Sequence, residues 1–257
     1  MSHGICNLAI VPVRKEPFHA SEMVTQLLFG EHFEVLGVSG NFSKIRIAYD
    51  LYEGWVQTSQ FEPIDLEEFQ RLNREQYCIS FDLVQIMMVD SQMFSVVLGS
   101  SLPHFKDHTC RLGKLAFRFE GTVKCPEKLQ TTKGLIENAF MYLHAPYQWG
   151  GRSPFGIDCS GFTQMVFKLA GIRLKRDAWQ QAEQGSLINL VDEARPGDLA
   201  FFDNVDGKIT HVGMVLPGQK VIHASGNVRI DALDHHGIYN TETKRYSHNL
   251  RLIKRFI

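Results

Sequence analysis

A cysteine at the predicted start of a helix is the feature that most limits the fold of this 257-residue chain. Asp158 stands directly before Cys159 and is a good N-cap, because its carboxylate can accept from the free N–H groups of the first helical turn. Ile157 and Phe162 then occupy the two positions of a hydrophobic staple. The apolar residues that follow recur at helical spacing as far as Leu169. The sequence therefore predicts a helix that opens at Cys159.

The position of Cys159 favours a reactive thiol. The helix dipole and the unpaired N–H groups of a helix N-terminus both stabilise the thiolate, which is the form that attacks carbonyls. A single cysteine is more often an inert core residue, but two histidines follow it in segments predicted as strands. His211 lies within 210–216 and His223 within 220–226. This order is the one expected of a papain-like thiol hydrolase.

The spacing of the two histidines makes a geometric prediction. Their strands are expected to form an antiparallel hairpin around the turn residues 217–218. Directly paired residues share a face of the sheet, so a three-residue loop pairs His223 with Gly213 and leaves His211 one diagonal step away. We therefore predict an odd-numbered loop or a one-residue bulge, with both imidazoles facing the start of the cysteine helix.

Composition and charge exclude several classes of function. A net charge of −1, a pI near 6.8 and the lack of any Lys/Arg block indicate that neither nucleic acid nor a membrane is the partner. The five cysteines are scattered without a C-x-x-C motif, which argues against a disulfide framework and a structural zinc site. A reducing compartment fits this pattern. Since no signal peptide is visible, we expect a cytoplasmic protein.

Two β-rich modules precede the cysteine helix. Short apolar runs separated by turn residues predict strands throughout 5–62, and the segments 28–36, 43–46 and 52–56 resemble a bacterial SH3 domain. The β pattern returns over 76–123 and predicts a second, less regular SH3-like barrel. The predicted domains are 1–62, 63–125 and 126–257.

The third domain resembles the NlpC/P60 cysteine peptidases over nearly all of residues 128–257. The resemblance rests on six ordered segments, which are 146–151, 158–162, 176–181, 195–199, 211–213 and 221–225. It implies an α+β architecture: a papain-like NlpC/P60 catalytic domain, with the helix packed on an antiparallel sheet, preceded by one or two small SH3-like β-barrels.

The resemblance also implies the catalytic roles. Cys159 is the expected nucleophile, His211 the general base and His223 the residue that orients the base, while Tyr147 is expected beside the cysteine. The chemistry is consistent with these roles, because a base needs a pKa near the working pH and a second histidine can fix its tautomer. A histidine does this without placing a full negative charge nearby. The backbone N–H of Cys159 can help to form an oxyanion hole.

A narrower resemblance implies the substrate. An SH3 domain joined to this catalytic domain is similar to the γ-D-glutamyl-L-diamino acid endopeptidases, which cut murein peptides that carry a free N-terminal L-Ala. In that group an acidic residue and a tyrosine of the first SH3 domain, with the aspartate of the Arg-Asp motif, bind the substrate ammonium. The residues implied in substrate binding are Glu31, Tyr52, Asp177, Asp158 and Ser160. The expected protein is a cofactor-free monomer that cleaves L-Ala-γ-D-Glu-diamino acid peptides, in peptide recycling.

Other functions use the same residues. The protein could hydrolyse intact, cross-linked peptidoglycan while the SH3 domains anchor it to the wall, or bind the wall with an inactive peptidase domain. Thiol acyl transfer to another amide needs the same three side chains. A metal site formed by Cys159, His211 and His223 is the last alternative, and it is disfavoured because no fourth ligand accompanies them. The remaining histidines are expected on the surface.

Overall fold

The structure, a computed structural model, describes residues 2–126 and 131–257, which divide into two compact units. The first unit holds residues 2–126 with the segment 149–154, and the second holds 131–148 and 155–257. The sequence predicted three domains, with a boundary at 62–63. Both small β-modules lie in the first unit, and the division of that unit into two domains stays a prediction.

Seven strands of the first unit form one antiparallel, SH3-like sheet in the order β3-β2-β6-β5-β4-β1-β7. Alternating apolar residues such as Val11 and Val13 point into its core beside Phe33. The strands are β1 Ser2–Ile5, β2 Ile10–Arg14, β3 Met23–Leu28, β4 His32–Ser39, β5 Phe42–Ile47, β6 Glu53–Gln57 and β7 Glu62–Ile64. A 3-10 turn covers Thr58–Gln60.

The second module begins with helix α1, Leu66–Arg74, which Asp65 caps by accepting from the Glu68 N–H at 2.8 Å. Its strands form two antiparallel sheets, in the orders β10-β9-β13-β12 and β11-β8-β14. They are β8 Cys78–Ser80, β9 Val84–Val89, β10 Gln92–Val97, β11 Ser101–Leu102, β12 Thr109–Leu112, β13 Leu115–Phe119 and β14 Val123–Lys124. Ile5 and Phe29 of the first module pack into its core. This shared core explains why the two modules form one unit.

A disulfide joins Cys78 to Cys125. In the β8–β14 ladder Ile79 pairs with Lys124, so the next pair along the register is Cys78 and Cys125. The sequence argued against disulfide bonding, and this expectation is wrong for these two cysteines. The bond follows from strand register between segments 47 residues apart, which cysteine spacing does not reveal.

The second unit places three helices with one antiparallel sheet in the order β17-β23-β18-β19-β20-β21-β22, and β22 also pairs with β23. The sheet therefore curls back on itself, and the predicted α+β class is confirmed. The elements are α2 Thr132–Phe140, β16 Gly156–Ile157, α3 Cys159–Leu169, α4 Ala178–Ala182, β17 Ser186–Ile188, β18 Leu199–Asp203, β19 Ile209–Leu216, β20 Lys220–Ser225, β21 Asn227–Leu233, β22 Gly237–Asn240 and β23 Arg245–Arg255. The short strand β15, Arg152–Ser153, lies in the first unit, and a 3-10 turn covers Val191–Glu193.

Helix α3 is the central helix of the second unit. It begins at Cys159 as predicted, and Asp158 caps it by accepting from the Gly161 N–H at 2.6 Å. All eleven of its residues are buried, and it packs against α2, β19 and β20. The start of α3 is therefore held fixed relative to the two histidine strands. Among the helices of the described residues, none has the length and apolarity needed to cross a membrane.

Candidate active site

The hairpin of β19 and β20 brings His211 and His223 together. Gly213 pairs with His223 and Leu216 with Lys220, which leaves the three-residue loop 217–219. His211 Nε2 lies 2.8 Å from His223 Nδ1. The predicted loop length and the hydrogen bond between the imidazoles are both confirmed. Gly213 is required at this point, because a Cβ there would lie 2.9 Å from the Cβ of His223.

Asp231 on β21 completes a chain of hydrogen bonds that the sequence did not reveal. His223 Nε2 lies 2.9 Å from Asp231 Oδ2, and both side chains are buried. The expectation that the orienting histidine leaves no full negative charge nearby is therefore wrong. Strand parity could have found this residue, because Val221 pairs with Asp231 and so places Asp231 on the same face as His223.

The hydrogen-bond chain fixes the tautomers of both rings. The Asp231 carboxylate can only accept, so His223 Nε2 carries a proton and donates it. His223 Nδ1 is then the acceptor in the neutral ring, and His211 Nε2–H must be its donor. His211 Nδ1 is left with a lone pair. That nitrogen can take the proton of a thiol.

Arg229 holds the Asp231 carboxylate in its charged form. Its Nε donates to Asp231 Oδ2 at 2.8 Å and its Nη2 donates to Oδ1 at 3.0 Å. Burial acts to raise the pKa of Asp231, but the hydrogen bonds from His223 and Arg229 outweigh it and hold the pKa below its usual value. The carboxylate therefore stays ionised behind the two imidazoles.

Three of the four predicted catalytic residues line one cavity of about 290 Å³. They are Tyr147, Cys159 and His211, and His223 lies behind His211. The full lining is Tyr147, Cys159, Thr210, His211, Ala224, Ser225, Gly226 and His248. The cavity is thus open to a substrate carbonyl beside both the thiol and the base.

Burial shifts the pKa of the thiol and that of the base in the directions that favour their uncharged forms. Burial, with the neighbouring Asp158 carboxylate, raises the pKa of Cys159 to about 12, and hydrogen bonds to the backbone of Val212 and Ser160 oppose this only partly. Burial and the adjacent His248 and His223 rings lower the pKa of His211 well below its usual value. The sequence predicted a thiolate on the strength of the helix dipole. In the structure desolvation is the larger effect, so the proton must move to His211 as the thiol attacks.

Tyr147 presents a protonated hydroxyl to the same cavity. Burial, with the nearby Cys159, raises its pKa to about 12. Its backbone N–H donates to the Gly226 carbonyl at 2.9 Å, which ties the segment before the helix to the end of β20. A neutral phenol beside the nucleophile can donate a hydrogen bond to a developing oxyanion.

His248 is a cavity residue that the sequence analysis missed. It was expected on the surface, but its ring stacks on His211 with centroids 4.0 Å apart and planes 21° apart. Burial, with the nearby His223, lowers its pKa to about 4. The β22–β23 pairing brings this residue into place, and a register shift lies within that ladder. Sequence periodicity could not have located it.

Asp158 and Ser160, predicted to contact substrate, belong to a buried ion-pair network. Arg176 donates to both carboxylate oxygens of Asp158, at 3.0 and 2.6 Å, and to Ser160 Oγ at 2.9 Å. The role that the structure gives them is to fix the first turn of α3. Their contact with substrate stays a prediction.

The other three predicted binding residues lie elsewhere in the fold. Asp177 is the N-cap of α4, and its N–H donates to Gln180 Oε1 at 3.1 Å. The described residues that line the cavity do not include it. Tyr52 is half-buried against the core of the first SH3-like sheet. Its amine-binding role and that of Asp177 stay predictions.

Glu31 has a partner that the sequence did not indicate. Arg152 donates to both of its carboxylate oxygens, at 2.8 and 2.9 Å, and both side chains are buried. The Leu28 N–H donates to the same carboxylate at 2.9 Å. The expected free carboxylate is therefore neutralised, so a substrate amine would have to share it with a guanidinium. Amine binding by Glu31 stays a prediction.

Comparison with known families supports this reading of the site. Residues 144–247 match the NlpC/P60 family, and residues 13–61 match the bacterial dipeptidyl-peptidase SH3 domain. The chain therefore contains an NlpC/P60 domain, to which cysteine peptidases belong, and a bacterial SH3 domain. The matched peptidase segment contains Cys159, His211 and His223.

Relatives and solved structures agree with this family over most of the chain. A γ-D-glutamyl-L-lysine dipeptidyl-peptidase of Bacillus subtilis (strain 168) is 29% identical over 78% of this chain and 71% of its own. Dipeptidyl-peptidase 6 of Lysinibacillus sphaericus is 28% identical over 88% of this chain and 90% of its own. The crystal structure of an NlpC/P60 family protein from Bacillus cereus ATCC 10987 has a TM-score of 0.83, with 20% identity and 99% of each chain covered. At that identity the structural match shows the fold.

Proposed function

We propose that this cysteine peptidase cleaves the bond between γ-D-Glu and a diamino acid in murein peptides that carry a free N-terminal L-Ala. The observation that carries the proposal is the chain of hydrogen bonds from Asp231 through His223 to His211, on the cavity that contains Cys159. The name of the Bacillus subtilis relative, a γ-D-glutamyl-L-lysine dipeptidyl-peptidase, supports the choice of peptide. The monomeric state and a role in recycling are part of the proposal.

The chemistry begins with proton transfer and attack in one step. His211 Nδ1 takes the thiol proton of Cys159 while the sulfur bonds to the γ-carbonyl carbon of D-Glu. The positive charge that forms on the His211–His223 pair is stabilised by the Asp231 carboxylate behind it. The backbone N–H of Cys159 and the Tyr147 hydroxyl are suited to bind the oxyanion.

The second half of the reaction returns the proton and uses a water. His211 gives its proton to the leaving amine of the diamino acid, and the L-Ala-γ-D-Glu half remains as a thioester on Cys159. His211 then takes a proton from water as the hydroxide attacks the thioester, and the thiol regains its proton. Each group returns to its neutral resting form.

In the proposed function, the enzyme selects peptides by the free amino group of their N-terminal L-Ala. A carboxylate facing the L-Ala ammonium would form a charge-assisted hydrogen bond and reject acylated peptides. Asp177 and the Glu31–Arg152 pair are the groups offered for this role, with Tyr52.

The disulfide supports a second candidate, hydrolysis of intact peptidoglycan outside the cytoplasm. Disulfides persist in oxidising compartments and are rare in the cytosol. The Cys78–Cys125 bond therefore counts against the cytoplasmic location expected from the sequence, which stays a prediction. The two candidates share the catalytic site and differ in the size of the substrate.

One assay separates the candidates. The enzyme is incubated with L-Ala-γ-D-Glu-diaminopimelate, with the matching L-Lys peptide, with the N-acetylated form of each, and with cross-linked peptidoglycan, and products are identified by mass spectrometry. The proposal expects cleavage of a free peptide at the γ-D-Glu bond and loss of rate on acetylation. Equal rates on free and acetylated peptides, with release of fragments from intact wall, would favour the second candidate. The Cys159→Ala variant, which lacks the nucleophile, is the negative control for every substrate.

A further inference from the structure

The catalytic cavity holds a third imidazole beside His211 and His223. His248 stacks on His211 from β23, while the other two rings come from β19 and β20. One ligand atom from each of the three rings can be chosen so that all three lie within 4.8 Å of one another. The sequence offered Cys159, His211 and His223 as a metal site and lacked a further ligand. The fold supplies His248.

The geometry points to an inhibitory zinc site formed by His211, His223 and His248, and we propose that Zn²⁺ binds there. In a tetrahedral zinc site with Zn–N bonds of about 2.0–2.1 Å, the ligand nitrogens stand about 3.3 Å apart. The nitrogens of His211 and His223 need to separate by about half an ångström from their present 2.8 Å. The His248 ring, which stacks on His211 with planes 21° apart, also has to turn so that one of its nitrogens faces the ion.

The ligand chemistry favours zinc over magnesium or calcium. All three donors are imidazole nitrogens, which suit Zn²⁺, whereas Mg²⁺ and Ca²⁺ require oxygen ligands. Asp231 accepts from His223 Nε2 at 2.9 Å, which leaves His223 Nδ1 as the nitrogen with a lone pair. A carboxylate behind a ligating histidine is the usual arrangement at zinc sites, where it fixes the tautomer and raises ligand basicity.

Binding also requires a proton shift within His211. When His211 Nε2 becomes a ligand, its proton moves to Nδ1, so the ring stays neutral and no oxidation or reduction takes place. Nδ1 then has no lone pair for the thiol of Cys159. Zinc would therefore block the first step of hydrolysis reversibly. This inhibition rests on the proposed function, whereas metal binding by itself does not.

The test measures binding without using activity. Tag-free Cys159→Ala protein is titrated with Co²⁺, whose visible spectrum reports tetrahedral ligation, and with Zn²⁺ in competition with a chromophoric chelator. We expect one ion per chain. His248→Ala should weaken zinc binding by about 100-fold or more. Loss of a residue that hydrogen-bonds to a ligand weakens metal binding by about 10- to 100-fold, and loss of a ligand itself should cost more. Asp231→Asn should weaken it by about 10- to 100-fold.

The matched control is His236→Ala, which removes an exposed histidine and should bind zinc like the parent protein. Equal affinity in His248→Ala and His236→Ala would overturn the proposal, as would the lack of a one-to-one complex in the Cys159→Ala protein. If the protein binds one zinc ion per chain but does not cleave the murein peptides, the zinc site is supported and the proposed function is contradicted. Full hydrolysis at zinc concentrations that saturate the site would overturn its inhibitory role.

Discussion

Two buried thiols in different regions of the molecule have the same pKa and different surroundings. Cys6 lies in the core of the first SH3-like sheet, and Cys159 opens α3 in the second unit. Burial raises the pKa of each to about 12. Cys6 Sγ donates to the Leu8 carbonyl at 3.3 Å, whereas Cys159 shares a cavity with His211. Burial alone therefore does not distinguish a structural thiol from a nucleophile.

The difference lies in what each thiol faces. Cys6 has apolar neighbours and a carbonyl acceptor, and the charge of the Glu31 carboxylate raises the pKa of Cys6 further. Cys159 has an imidazole with a free lone pair on the same cavity, and a carboxylate stabilises the charge that forms two hydrogen bonds away. Cys159 therefore does not need a low pKa at rest, because His211 can accept its proton during the reaction.

The largest expected effect is the loss of catalysis when Cys159, but not Cys6, is replaced by alanine. Cys159→Ala should lower kcat/KM for the free murein peptide by about 10⁴-fold or more, because residues of a nucleophile–base unit are lost together. Cys6→Ala should leave kcat/KM unchanged, since Cys6 lies in the core of the first SH3-like sheet and does not line the catalytic cavity. Steady-state kinetics on both variants checks this contrast. Activity retained by Cys159→Ala would break the comparison.

The pH dependence of alkylation tests the neutral resting state. A thiol whose pKa is raised to about 12 is almost wholly protonated at pH 7, and its thiolate fraction rises tenfold per pH unit below the pKa. The rate of iodoacetamide labelling at Cys159 should therefore climb by about 10³-fold between pH 7 and pH 10. Cys159 should still react before Cys6 and Cys110, because only it faces the cavity. A rate that levels off near pH 6 would show a thiolate–imidazolium pair in solution.

Removing the charge behind the histidines should have a smaller effect. Asp231→Asn keeps the shape of the side chain and removes the negative charge that stabilises the protonated histidine pair. We expect kcat/KM to fall by about 10²-fold, within the usual range for general acid–base catalysis. Asp234→Asn is the matched control, because Asp234 is an outer residue that accepts from the Tyr246 hydroxyl. Equal kinetics for the two variants would remove Asp231 from the mechanism.

The smallest expected effect concerns stability. Cys6→Ala leaves a void in a fully buried position and should cost about 1 kcal/mol of unfolding free energy. Cys159→Ala removes atoms that already face a cavity and should cost less. Denaturant unfolding of both variants measures the difference in midpoint. A larger loss for Cys159→Ala would mean that the nucleophile also supports the packing of α3.

Local signals in the sequence predicted the parts of the site that lie close together along the chain. The Asp158 cap, the start of α3 and the hairpin register of His211 and His223 depend on neighbouring residues, and all are confirmed. The same strand-parity argument, extended to the next strand, places Asp231 on the face of His223, because Asp231 pairs with Val221.

Other features depend on segments far apart in sequence. The Cys78–Cys125 bond and the position of His248 follow from strand pairings that periodicity does not specify. The protonated state of Cys159 depends on how deeply α3 is buried, which no motif reports. The dipole of a helix is visible in a sequence, whereas the desolvation that outweighs it is not.

The pairing of β23 has a consequence for how the second unit folds. This strand lies between β17 and β18, and Phe201 of β18 pairs with Leu252. Some fifty residues must therefore form a closed loop before the ladder can be made, and closure of this kind slows folding. Until β23 docks, β18 has an open edge that carries buried aromatic residues, which is a site for aggregation. Since His248 lies on the same strand, the imidazole cluster is complete only when β23 has docked.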